Sequence, residues 1–165
     1  MNDRKFEKLI TASLPALRAY AAALTDRRTE ADDAIADTLS RAWRYADSFN
    51  GHGSFEGWLL KICRNSVIDA RLWAKRIREA ESAAGVRSVA VNDAGGVELK
   101  DLIRRLPVAQ REVIVLTAVL GYSYDETAAL LDVPVGTIRS RLHRARTALA
   151  IVIGDDSQRD ACESA

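Results

Sequence analysis

The chain has 165 residues, 48% hydrophobic and 28% charged, and its 24 basic and 23 acidic side chains nearly cancel. That length suits one ordinary domain or two small ones, the apolar fraction excludes wholesale disorder, and no apolar run approaches the roughly 18–20 residues that cross a bilayer. Cys63 and Cys162 are the only cysteines and the two histidines are scattered, so a disulfide scaffold and a zinc site are both excluded.

The opening Met1-Asn2-Asp3-Arg4-Lys5 has no apolar h-region, so no secretory signal is expected and a reducing cytoplasm is the expected compartment. Few aromatics, nine Gly and three Pro give an all-α expectation. Apolar residues three and four apart begin at Phe6, Leu9 and Ile10 and continue through Leu14, Leu17, Tyr20, Ala21 and Leu24. Ser13 before Leu14-Pro15 reads as a helix cap with proline in the first turn. A second helix is predicted to start near Thr29, with Ala31, Ala34, Ile35, Thr38, Leu39, Ala42, Trp43 and Ala46 on its stripe. Glu30, Asp32 and Asp33 fall near its start, where the helix dipole favours acids. Phe49-Asn50-Gly51-His52-Gly53 reads as a loop. Ser54 caps a long third helix whose inward side is Phe55, Trp58, Leu59, Ile62, Cys63 and Ile68.

Residues 80–96 lose the period and carry Gly85, Gly95 and Gly96, which reads as a flexible linker between two small helical domains. Beyond it, Val97 to Leu106 is a short helix, and Pro107 opens another through Val113, Ile114, Leu116 and Leu120 to Gly121. Ser123-Tyr124-Asp125-Glu126 is a capping box, because the Ser oxygen can take a first-turn amide while Glu126 reaches back. Asp132-Val133-Pro134 makes a turn, and the last helix carries Val135, Ile138, Leu142, Ala145 and Leu149 inward. Two helices joined by a tight turn, the second basic, form a helix-turn-helix pattern.

Charge is unevenly distributed. Lys61 to Arg78 holds six basic residues and one acid, and Pro134 to Leu149 holds four Arg and no acid. Asp26 to Asp37 has five acids against two Arg, and Gly154 to Ala165 has four acids against one. At 100° per residue the last helix turns Gly136, Ser140, His143, Arg144 and Thr147 away from its stripe, with Arg139 and Arg146 on one edge and Arg141 on the other. Arginine pairs with guanine edges in the major groove, and Arg, Ser and Thr hold phosphates. In the first half, Phe49, Asn50 and His52 lead into a helix with Arg64 and Asn65, a mixture able to hold an unstacked base and its backbone. Phe49, beside two glycines, has few local packing partners; for Trp58 and Cys63 a core role is the simpler reading. No nucleophile–base pair, phosphate loop or metal motif is present, so no enzyme, cofactor or metal is expected.

Three segments resemble the bacterial sigma factors. Leu24-Thr25, Ala31-Asp32-Asp33-Ala34 and Asp37-Thr38-Leu39-Ser40-Arg41-Ala42-Trp43-Arg44 resemble region 2.2, and Phe55 to Asp69 resembles regions 2.3 and 2.4. Leu106-Pro107, Gln110-Arg111-Glu112-Val113, Gly121 to Glu126 and Val135 to Arg146 resemble region 4. Over residues 5–150 the chain is similar to the extracytoplasmic-function (ECF) sigma factors, which keep only these two regions.

The resemblance implies region 2 over 1–79, the linker over 80–96, region 4 over 97–153 and an acidic tail over 154–165. It implies binding to core RNA polymerase at the largest-subunit clamp and the flap, with Asp33, Asp37 and Arg41 on the docking face. It implies promoter DNA as partner, with Arg139, Ser140, Arg141, His143 and Arg144 at the −35 element. At the −10 element it implies Phe49, Asn50, His52, Arg64 and Asn65. It leaves room for an anti-sigma factor and implies no membrane insertion. A helix-turn-helix regulator that binds duplex DNA without polymerase is the rival reading, and a sigma-like adaptor is another.

Overall fold

The computed structural model describes residues 3–51, 53–83 and 99–163, with side chains described over 3–51, 53–80 and 102–150. Among these residues there are helices and turns and no strand. α1 spans Asp3–Leu24, α2 Arg28–Arg44 and α3 Phe55–Ala83. α4 spans Leu99–Arg105, α5 Val108–Ile114, α6 Tyr124–Leu131 and α7 Val135–Glu163. Most of the expected linker, residues 84–96, lies outside the described residues; its first four continue α3 as helix.

α1 corrects the reading of Ser13 as a cap. The helix is unbroken from Asp3, Pro15 sits inside it, and Ser13 is buried mid-helix. A proline there deprives the Thr11 carbonyl of its helical donor, at a cost of roughly 3 kcal/mol. The helix persists because it buries Phe6, Leu17, Tyr20, Ala21 and Leu24 along one side, and a fully buried large apolar side chain contributes about 1.5–3 kcal/mol.

α2 follows its predicted stripe at Ala31, Ala34, Thr38 and Ala42, all buried. Its Trp43 is the exception: nearly half exposed, it meets Phe6 edge-on at 4.7 Å. Ser54 caps α3 as expected, accepting from the Gly57 amide at 3.0 Å. The inward face of α3 is Phe55, Leu59, Leu60, Cys63 and Val67. Ile68 was expected inward and is exposed, because at 100° per residue it lies about 140° from Cys63 and opposite Leu59, off the buried face; every described side chain from Ile68 to Ala80 is exposed.

The second half carries its signals where the sequence has them. Glu126 donates its backbone amide to Ser123 Oγ at 3.2 Å and accepts from the Ser123 amide at 2.8 Å, completing the capping box before α6. Asp132 adopts the left-handed region at φ 55°, ending α6 and turning the chain toward Pro134. α5 does not run evenly to Gly121: after Ile114 it widens into a π-helical turn over Val115–Val119, where the Leu120 amide reaches the Val115 carbonyl. Gly121, at φ 75°, then lets the Tyr122 amide return to the Leu116 carbonyl. Ile138, Leu142 and Ala145 of α7 are buried against α5 and α6.

The halves meet. α5 and the π turn pack on α1, α6 packs on α3, and buried residues of both halves form one continuous cluster.

Candidate nucleic-acid interface

The exposed face of α7 follows from its packing. With Ile138, Leu142 and Ala145 inward, Arg139, Ser140, His143, Arg144, Arg146 and Thr147 are exposed, and Arg141 is half-buried at the edge. Ser140 and Thr147 donate to the carbonyls of Thr137 and His143, which holds both hydroxyls against the helix. Among the described residues no acid pairs with Arg139, Arg141, Arg144 or Arg146, so their donors face solvent on one side of one helix. Gly136, near the start of α7, has nothing within 4 Å of where a Cβ would stand. The turn before α7 is fixed by the Asp132 conformation and by the Thr137 amide donating to the Pro134 carbonyl. A basic helix with an exposed polar face, following a capped helix and a tight turn, has the pattern that enters a major groove.

The first half is less open. Phe49 was expected to lack packing partners, and the reverse is found: its ring meets Phe55 at 5.3 Å and Trp58 at 5.5 Å. Phe6, Phe49, Phe55 and Trp58 form one aromatic cluster beneath the loop, since Phe6 also meets Phe55 at 5.5 Å. The sequence signal for this was the spacing Phe49, Phe55, Trp58, but pairing it with Phe6 required the fold. Asn50 and Asn65 are exposed; His52 lies outside the described residues.

Arg64 is half-buried and engaged. Its Nε donates to Glu112 Oε1 at 3.1 Å, and Tyr20 Oη donates to the same oxygen at 3.2 Å. Glu112 belongs to α5 and is buried, so a carboxylate of the second half is bonded to α1 and α3 of the first. Burial, then the neighbouring Glu112, pushes the Tyr20 phenol far above its ordinary range, so Tyr20 remains a donor at any physiological pH. Beside Glu112, the buried Arg111 donates to the Thr25 carbonyl and, at 2.7 Å, to Asp26. Tyr122 Oη donates to Glu56 at 2.8 Å, and burial followed by that bond pushes its pKa up to about 12. Sequence reasoning found none of these contacts, which link residues 48 to 92 positions apart.

The third surface is a groove of about 790 Å³ between α2 and the extended part of α3. Asp26, Glu30, Asp33 and Asp37 line one side; Arg71, Lys75 and Arg78 line the other. Asp33 and Asp37 are exposed as expected. Arg41 donates to Asp37 at 2.9 Å and to Asp69 at 2.8 Å, tying α2 to α3. Asp37 is thus ion-paired one turn along its own helix. Cys63 is fully buried, and burial pushes its thiol up to about 11, in keeping with a core cysteine. No group of His, Cys, Asp or Glu able to hold a metal exists among the described residues, and no helix there is long and apolar enough to cross a membrane.

Residues 9–77 match the family Sigma-70 region 2, and residues 96–149 match the family Sigma-70, region 4. The ECF RNA polymerase sigma factor EcfG of Rhodopseudomonas palustris is 35% identical, over 92% of this chain and 86% of that protein. The RNA polymerase sigma factor CnrH of Cupriavidus metallidurans is 31% identical, over 96% of this chain and 91% of that protein. Among solved structures, the sigma factor RpoE from Bartonella quintana, in complex with the anti-sigma factor NepR, is 36% identical. It aligns at TM-score 0.74 over 92% of this chain and 98% of that one. CnrH in complex with the cytosolic domain of CnrY aligns at TM-score 0.68 and 30% identity, over 94% and 91%.

Proposed function

The chain belongs to the ECF RNA polymerase sigma factors, and from that membership we propose how its surfaces divide the work of initiation. It is an alternative sigma factor that directs promoter-specific transcription, a DNA-binding function in complex with core RNA polymerase. Residues 1–79 serve as region 2, 97–153 as region 4, with 80–96 as the tether and 154–165 as an acidic tail.

α7 reads the −35 element in the major groove. The observation that carries this is its row of exposed, acid-free arginines behind the capped helix-turn-helix. Arg144 and His143 face the base edges, and Arg139, Ser140 and Arg141 hold the flanks and phosphates. The surface around Asn50, His52, Arg64 and Asn65 engages the −10 element once melted. Phe49 supports that surface from below, since its ring is committed to Phe55 and Trp58. Unstacking a base costs a few kcal/mol, which contacts from exposed side chains such as Asn65 must offset. Asp33, Asp37 and Arg41 form the docking face for the polymerase clamp, and region 4 meets the flap. The exposure of Asp33 and Asp37 on one face of α2 supports this, because exposed acids can meet a basic partner surface. An anti-sigma factor is a further partner, supported by the relatives solved with one. The site of action is cytoplasmic.

The deciding experiment is run-off transcription with purified core polymerase on a library of promoter fragments, with and without this chain. Transcripts from a defined subset of promoters only when the chain is added are the expected result. Duplex binding with no polymerase-dependent transcript would instead favour a stand-alone regulator.

A further inference from the structure

A cavity of about 480 Å³ opens where the later turns of α1, the start of α2 and the short α4 come together. Four arginines line it: Arg18 from α1, Arg27 and Arg28 at the start of α2, and Arg104 from α4. Asp32 is the one acid among the lining residues, and Ala31 and Ile35 supply an apolar part of the wall. Arg18 and Arg28 are exposed and take part in no ion pair among the described residues. Arg27 makes no capping bond at the start of α2 and only approaches Glu30, at 4.0 Å, with both side chains well exposed. Such an exposed pair contributes little, so a stronger anion displaces it readily. Like charges gathered round one concavity repel, and an anion seated among them relieves that repulsion. The cavity shares no residue with the surfaces assigned above to promoter DNA or to polymerase.

We propose that this cavity binds a polyphosphate anion, inorganic or carried by a nucleotide, through the guanidinium groups of Arg18, Arg27, Arg28 and Arg104. Guanidinium is a planar fork that meets phosphate oxygens two at a time, which suits four arginines to phosphate rather than to a simple halide. The volume falls in the range of small-ligand pockets and is too small for a nucleic-acid duplex. Because the charges come from three helices, a single orthophosphate reaches only some of them, whereas a chain of phosphates spans them. Bound there, the chain ties α1 and α2 to α4 and stabilises the fold by mass action.

The test is calorimetric titration of the full chain with sodium tripolyphosphate in about 0.15 M salt, where exposed charges are screened beyond roughly 8 Å. A saturable site is expected, roughly tenfold tighter than for orthophosphate, together with a raised Tm. Arg18→Gln with Arg28→Gln should weaken binding roughly tenfold at unchanged helix content. Arg76→Gln with Arg146→Gln removes the same charge from exposed positions outside the cavity and should leave affinity within about twofold. If the first pair loses helix content, Arg104→Gln decides in its place, with a loss of roughly threefold expected. ATP distinguishes the two sources: tighter binding than tripolyphosphate assigns the site to a nucleotide, and equal or weaker binding to the inorganic chain. Equal losses from the two pairs of substitutions would reduce the effect to net charge and overturn the proposal. So would the lack of a saturable site, or tighter binding of an oligoglutamate peptide, which would make the cavity a seat for an acidic protein segment.

Discussion

On α7, Arg139, Arg144 and Arg146 stand exposed with no acidic partner among the described residues, whereas on α3 Arg64 is bonded to Glu112 and Arg71 to the Leu24 carbonyl. Both helices are basic, and from composition alone they look interchangeable. Their packing separates them. α7 buries one narrow stripe and leaves the rest of its circumference open. The first turns of α3 are covered on one side by α1 and α2 and touched by α6, and there Arg64 finds a protein partner while Lys61 stays exposed. A surface can thus be basic by sequence and occupied in the fold. A ligand can meet the α7 arginines without displacing a protein partner, whereas the Arg64 Nε is already bonded to Glu112.

The largest effect expected from this contrast is on stability, at Phe49. If its ring belongs to the core beneath the −10 surface, Phe49→Ala should destabilise the fold by about 2 kcal/mol, while Arg146→Ala on the exposed face of α7 should stay within about 0.5 kcal/mol. Urea denaturation of the two variants checks this. Equal stability would return Phe49 to the loop as a freely available stacking platform. Next is the acidic face. Asp37→Lys should weaken competition for core polymerase roughly tenfold, since a basic side chain would meet a basic partner. The fold should survive, because Arg41 keeps its bond to Asp69. Undiminished affinity would take Asp37 off the docking surface. The smallest effect lies under α7. Thr127 is fully buried and its hydroxyl has no hydrogen-bond partner. Thr127→Val should raise stability by about 1 kcal/mol and leave DNA binding unchanged, as calorimetry and a duplex-binding titration would read.

Local signals were legible in the chain and long-range polar contacts were not. The capping box at Ser123 and Glu126, the Ser54 cap and the α7 face all depend on residues within a few positions of one another, so spacing carries them. The meeting of Arg64, Tyr20 and Glu112 leaves no such trace: it exists only because α5 packs across α1, and by spacing Tyr20 reads as core and Arg64 as a nucleic-acid contact. Ser13-Leu14-Pro15 misled for a related reason. The capping chemistry is genuine, but the apolar side of α1 on both flanks of Pro15 outweighs it. Ile68 is exposed because it stands about 140° round α3 from Cys63, out of phase with the buried face, which an angle count along the helix registers. The π turn after Ile114, by contrast, has no signature in spacing.

The division between an available helix and an occupied one is tested most directly by footprinting Arg144→Ala and Asn65→Ala holoenzymes side by side on one promoter, with duplex protection and permanganate reactivity of the −10 thymines read from the same reactions. A good bidentate base contact contributes about 1–3 kcal/mol, so Arg144→Ala should lose −35 protection and discrimination among −35 variants while still binding core polymerase. Asn65→Ala should keep the duplex footprint, show weak thymine reactivity, and recover much of its activity on a pre-melted bubble. Loss of duplex protection by Asn65→Ala with no rescue on the bubble, or wild-type −35 preference in Arg144→Ala, would contradict the assignment of the two helices.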